Sequence, residues 1–293
     1  MGMEGHLVNV EVDIADGLPN YSLLGLPDAA LNESRDRVRS AMVNSHEPWP
    51  NRKVTVSLSP AWLPKSGSGF DVPIAVALLA AQALVPSERI HGTVFLGELG
   101  LDGSVRGIRG VLPSLISAHK QGVERAVVPY ANRIEAALIS EMEIVAVRTL
   151  VELLHWLRTD ERQTALDLDF VEDEPEEDLD FIDVAGQVTA RWRGEVGAVG
   201  GHHMLLIGPP GAGKTMIAQR LPGILPALSR EEVLEVSAIH SLSSGRSVRS
   251  PLSSRPPFVA PHHTATRVAM VGGRSASNST WCMFFGTCWS SLY

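Results

Sequence analysis

Eight consecutive residues, GPPGAGKT from Gly208 to Thr215, match the pattern G-x-x-x-x-G-K-[ST] without a mismatch. Each residue type there has a chemical reason. Gly208, Gly211 and Gly213 let the backbone turn with its N–H groups facing inward, where a side chain would obstruct a phosphate. Pro209, Pro210 and Ala212 fill the remaining loop positions and carry no charge. The helix that follows adds the positive end of its dipole. Lys214 is long enough to reach the β- and γ-phosphates, and the Thr215 hydroxyl can join the shell of a Mg²⁺ ion that travels with them. The chain has only four lysines, Lys53, Lys65, Lys120 and Lys214, so the one after Lys120 falls inside this loop. Residues 208–215 are therefore expected to hold ATP together with Mg²⁺.

A phosphate loop works only between a strand and a helix, so the flanking sequence matters. The apolar run His203 to Ile207 reads as the strand and Met216 to Leu225 as the helix. Ser229, with Glu232 three residues on, forms a capping box for a further helix over 230–240. Upstream, Val8, Val10, Val12 and Ile14 alternate with polar residues, which predicts a half-buried strand closed by the Asp16-Gly17 turn. Asp28 is placed to cap a helix carrying Leu31, Val38, Ala41 and Met42 on its apolar side. Lys53 to Leu58 predicts a second strand and Val72 to Val85 a buried helix. Thr93 to Leu99 and Ser104 to Ile108 predict a hairpin across Asp102-Gly103. Alternating helices and strands then lead to Leu157. This order suits one α+β domain over residues 1–158.

Composition sets the limits. A hydrophobic content of 44% with 20% charged residues belongs to a globular chain of about two domains. The longest apolar run, Val72 to Val85, is too short to span a bilayer and contains Pro73 and Gln82, so no membrane contact is expected. No secretory signal is visible, and both cysteines, Cys282 and Cys288, lie near the end; a cytoplasmic location follows. The net charge of −8 is local: residues 160–180 hold eleven acids and one base, and elsewhere 22 acids face 24 bases. Residues 159–180 therefore read as an acidic linker, and the charge says nothing against a nucleic-acid partner.

Several segments together resemble the ComM/YifB family of magnesium-chelatase-like AAA+ ATPases. In the second half they are FIDVAGQ at Phe181 to Gln187, GGHHMLLIGPPGAGKTM at Gly200 to Met216 and RPPFVAPHHTA at Arg255 to Ala265. In the first half GLPDAALNESRDRVRSA, LSPAWLPKSGSGFDVPIA and GELGLDGSVRGIRGVLP are similar to that family's N-terminal ChlI domain, itself similar to the Lon protease domain. The resemblance implies a Lon-protease-like, ribosomal S5-like α+β domain over 1–158. It implies the first part of an α/β P-loop AAA+ domain over 181–273. It also implies a family working as homo-hexamers that bind DNA and migrate branched strands during recombination of incoming DNA. The family carries a short strand before the EGHLVNVEV segment, so the start is expected to be clipped.

The same resemblance exposes what the chain lacks. A Walker B strand supplies an aspartate for Mg²⁺ and a glutamate to polarise water, yet no acid occurs after Glu235. Residues 274–293 hold both cysteines, two tryptophans and five serines, a shift read as translation in another frame. No catalytic residue is assigned, and hydrolysis is expected to fail. Lon-type peptidase chemistry is also excluded, because Gly69 stands at the nucleophile position and Leu112 at the lysine position. Ser66, Ser68 and Lys65 read as structural. The adjacent pairs His202-His203 and His262-His263 have poor geometry for one metal ion. Arg35, Arg37 and Arg39 read as a solvated helix face, and Arg246, Arg249, Arg255 and Arg267 as the better basic surface for DNA. Two alternatives remain open: a non-catalytic DNA- or partner-binding module built on the first domain, and a chelatase subunit that works with metal-inserting partners.

Overall fold

The computed structural model describes residues 5–161, 179–242, 254–261 and 264. The chain divides into two compact units, residues 1–169 and 170–293.

In the first unit the alternating segment forms β1 (Asn9–Ala15), with Val10, Val12 and Ile14 turned to the core. It pairs antiparallel with β3 (Lys53–Ser59), whose Val54, Val56 and Leu58 are buried. The other edge of β3 carries β2 (Asn20–Leu24), aligned parallel to it. That strand is not visible in the sequence pattern, because its three central residues are all half-buried and nothing alternates. Asp28 caps α1 (Ala29–Asn32) as expected, accepting from the Leu31 N–H at 2.8 Å. The chain then continues through Glu33 into α2 (Ser34–Asn44), which buries Val38, Ala41 and Met42.

Helix α3 (Asp71–Ala81) is apolar on nearly every side and sits inside the unit, packing on β1 and α2. It ends before Val85, since Ala83 takes a left-handed conformation with φ of 56°. The expected hairpin also needs division. β4 (Thr93–Phe95) joins a separate parallel sheet, and only β5 (Glu98–Leu99) pairs with β6 (Val105–Arg106). Gly97 lies between β4 and β5, at a close approach where an added Cβ would lie 2.9 Å from Val72 Cγ2. The parallel sheet runs β4-β7-β8, with β7 (Arg125–Pro129) central and β8 (Glu143–Val147) at its other side. α4 (Val111–Lys120), α5 (Arg133–Ala136) and α6 (Leu150–Thr159) complete the unit. Thr149 caps α6 by accepting from Glu152 N–H at 3.2 Å. One continuous core joins both sheets, from Val54 and Val56 through Leu78 to Leu153 and Trp156.

The arginine-rich face of α2 is not simply solvated. Arg37 reaches Asp71, which is fully buried, with Nε–Oδ2 of 2.7 Å and Nη2–Oδ1 of 3.0 Å. Burial pushes the Asp71 carboxyl up, while Arg37 and the Leu99 N–H oppose it. Arg37 is thus part of the structure and is not available to a phosphate; Arg35 lies over the Tyr21 ring instead. Lys65 is also structural: it is buried, and its ammonium donates to the carbonyls of Leu58 and Pro60. Ser68 donates to Glu98. Leu112 is buried in α4, and Gly69 lies in a single helical turn.

The second unit contains α7 (Val188–Gly200), α8 (Lys214–Arg220) and α9 (Arg230–Leu242). Among its described residues there is no strand. Residues 203–207, expected as one, form no strand among the described residues. They keep the side-chain alternation of a strand: Met204 and Leu206 pack inward, while Leu205 and Ile207 are 82% and 85% exposed. Among the described residues no strand neighbours the segment, so it keeps this alternation without a ladder. The helix expected to reach Leu225 stops at Arg220 and tightens into a turn over Leu221–Gly223, where Pro222 cannot donate. The capping box of α9 forms as read: Ser229 N–H donates to Glu232 Oε2 at 2.8 Å, and Glu232 N–H to Ser229 Oγ at 3.4 Å. No described helix is long and apolar enough to cross a membrane.

Candidate nucleotide site

The loop Gly208 to Thr215 connects the extended run to α8. Gly211 and Gly213 both take φ of 79°, the left-handed region that an L side chain resists. At Gly211 an added Cβ would meet nothing within 4 Å, so the backbone angle alone demands glycine there. Ala212 N–H donates to Pro209 C=O at 3.3 Å and closes the turn, and Ile217 N–H donates to Gly213 C=O at 3.1 Å as α8 begins. Lys214 Nζ folds back over the loop and donates to the carbonyls of Gly208 and Pro209, each at 2.8 Å. Thr215 is exposed in the first turn of α8. All eight residues singled out from the sequence therefore lie in one compact turn, with the ammonium drawn over it. Among the described residues no carboxylate pairs with Lys214 or Thr215.

Behind the loop lies a small apolar layer. Phe181 and Val184 are buried against Ile217 and Leu221, so the segment before α7 and the helix after the loop share one core. Gly194 makes this possible, since a Cβ there would come 2.6 Å from Phe181 Cζ. Polar contacts reinforce the layer. Arg191 Nη1 donates to Val184 C=O at 3.4 Å, and Arg220 and Asp183 approach to 4.0 Å. Gln187 Nε2 donates to Ala212 C=O at 3.2 Å, a contact with the loop itself. Neither Asp183 nor Gln187 was assigned a role from the sequence; their signal was a place in FIDVAGQ, one of the segments that carry the family resemblance.

A separate cleft in this unit is lined by Met204, Leu221, Leu225 and Phe258, with His202 at its side. None of residues 208–215 lines it, so it is not the phosphate site. Among the described residues no group of three or more His, Cys, Asp or Glu side chains is arranged to hold a metal ion. His262-His263, Arg246, Arg249 and Arg267 lie outside the described residues, as do most of the acidic linker and the tail after Thr264. Of the basic run only Arg255 is described; its Nη2 lies 3.5 Å from Leu179 C=O.

Comparison with known proteins gives the chain a family. The family described as subunit ChlI of Mg-chelatase matches residues 10–132, and that described as magnesium chelatase, subunit ChlI, matches 180–280. The chain belongs to the ComM/YifB family of magnesium-chelatase-like proteins. It is 51% identical over 274 residues to a protein of Mycobacterium tuberculosis, covering 94% of this chain and 54% of that one. YifB of Escherichia coli is 42% identical over 275 residues, covering 93% of this chain and 53% of YifB. Competence protein ComM of Haemophilus influenzae is 37% identical over 278 residues, with 93% and 54% covered. The chain thus spans about half the length of the curated relatives it matches. Lon protease 2 of Bacillus subtilis is 34% identical over 98 residues, 32% of this chain and 17% of its own, which fits a Lon-like likeness for one domain. The second match runs to residue 280, past Gly273, where the sequence reading ended the resemblance.

Proposed function

We propose that this chain is an ATP- and Mg²⁺-binding member of its family, with the phosphate loop Gly208 to Thr215 as its nucleotide site. The observation that carries the reading is the loop: two left-handed glycines, a closing Ala212–Pro209 bond, and Lys214 held over the turn. Backbone N–H groups in such a turn stabilise an anion without a side chain in the way. Lys214 exchanges two neutral carbonyl partners for phosphate oxygens, a charge-assisted and stronger pairing. Thr215 is exposed beside it and suits a place in the shell of a nucleotide-bound Mg²⁺, which neutralises phosphate charge when bound. An AAA+ type core and cytoplasmic work on branched DNA during recombination belong to the same proposal. They rest on resemblance to a family that includes a competence protein.

No turnover is expected from these residues: among the described ones no carboxylate pairs with Lys214 or Thr215, and Glu232 is committed to the α9 cap. The reading is tested by titrating Mg·ATP into the full chain and into Lys214→Ala. Saturable binding that the substitution weakens at least tenfold is expected, with no turnover above background in the presence or absence of branched DNA. Equal binding by both proteins, or turnover that Lys214→Ala abolishes, contradicts it.

A second reading has its own support. The first unit has a continuous core, while Gly69 and Leu112 stand where Lon-type chemistry would need a nucleophile and a base. It is a candidate platform for DNA or for another protein.

A further inference from the structure

We propose that Gln187 is a positioning residue of the phosphate loop, holding the Ala212–Gly213 peptide in the orientation that presents the Gly213 N–H to phosphate. The proposal rests on the nucleotide reading above. Its starting point is the bond from Gln187 Nε2 to Ala212 C=O at 3.2 Å. A trans peptide is planar, so its C=O and N–H point in opposite directions. A donor that fixes the Ala212 carbonyl therefore also fixes the Gly213 N–H, directed away from Gln187. Local sterics do not do this, because Ala212 lies between Gly211 and Gly213 and glycine admits several peptide orientations at little cost.

Gln187 is itself held on a rigid base. Gly186 and Gln187 take successive left-handed conformations, with φ of 68° and 49°, and bring the chain sharply into α7. Gln187 C=O accepts the first helical bond, from Arg191 N–H at 2.9 Å. Three residues upstream, Val184 is buried in the same core as Ile217 and Leu221 of the loop's own helical continuation. The glutamine thus spans from one wall of that core to the loop on the other. Its strained backbone angle is otherwise unexplained, since a glycine would serve the turn better.

The test uses the full chain with Gln187→Gly, Gln187→Glu and Lys214→Ala, each titrated with Mg·ATP. Amide hydrogen exchange over residues 208–215 is read without nucleotide. Gln187→Gly removes the amide and keeps the left-handed turn; Gln187→Glu keeps the length but, ionised, can only accept. Both are expected to bind Mg·ATP about three- to tenfold more weakly than the wild-type chain. Both should also show faster exchange in the loop, with unchanged thermal melting. Wild-type affinity and exchange in Gln187→Gly overturn the proposal, because the turn alone then suffices. If the wild-type chain binds no Mg·ATP, the nucleotide reading falls. The exchange comparison still decides whether Gln187 holds the loop, and unchanged exchange there sinks the proposal as well.

Discussion

The two units differ in what stands behind their apolar residues. In the first, every strand has a neighbour, and Val54, Val56, Leu78 and Leu79 are buried in one core that joins two sheets. Among the described residues of the second, Phe181, Val184, Ile217 and Leu221 form a buried cluster, and residues 203–207 turn Leu205 and Ile207 outward. Helix α7 does likewise, with Val188, Trp192, Val196 and Val199 exposed at a spacing that puts them along one face. Local pattern is equally strong in both units. Among the described residues what differs is the supply of strand partners, on which strand formation depends.

The sharpest way to break this contrast is to separate the units. Residues 1–158 alone are expected to unfold in one cooperative thermal transition. Residues 181–293 alone are expected to be insoluble or to melt without a transition, because exposed apolar side chains such as Leu205 and Ile207 promote association. Calorimetry and light scattering on the two fragments decide it. A sharp transition in the second fragment would show that its apolar faces find cover.

A smaller effect separates two leucines. Leu78→Ala opens a hole in a fully buried position and is expected to cost about 2–5 kcal/mol in denaturant melts. Leu205→Ala removes a side chain already in water and is expected to change stability by less than about 0.5 kcal/mol. Comparable losses at both sites would mean that Leu205 is covered in solution.

The smallest expected effect concerns α9. Two bonds from Ser229 hold the Glu232 carboxyl below its ordinary range. Because the folded value is depressed, the cap contributes above the usual glutamate range and is lost as pH falls through the lowered value. Ser229→Ala should remove about 1 kcal/mol of helix stability near neutral pH. In the substituted chain, acid should then take away less helicity, followed by circular dichroism. An equal acid response in both chains would mean that the cap does not form.

The sequence showed these elements unevenly, for physical reasons. Caps and short turns were legible because their chemistry is local: Asp28 with Leu31, Ser229 with Glu232, and the Gly-rich loop each lie within a few residues. Half-buried β1 was legible through its alternation. Strand β2 was not, because parallel pairing with β3 is settled some thirty residues away and leaves no period in five residues. The Arg37–Asp71 pair and the break at Gly97 likewise depend on side chains distant in the chain. The loop 208–215 was legible as a Gly-rich turn, whereas the contact of Gln187 with Ala212 was not, since it crosses 25 positions.

We propose that residues 208–215 take the phosphates of a nucleotide, and hydrogen exchange of the full chain with and without Mg·ATP, resolved by peptide, reads this out. Protection is expected over 208–220, spanning the loop and α8, and is expected to vanish in Lys214→Ala. Protection confined to other segments, or protection that persists without the Lys214 ammonium, would contradict the account.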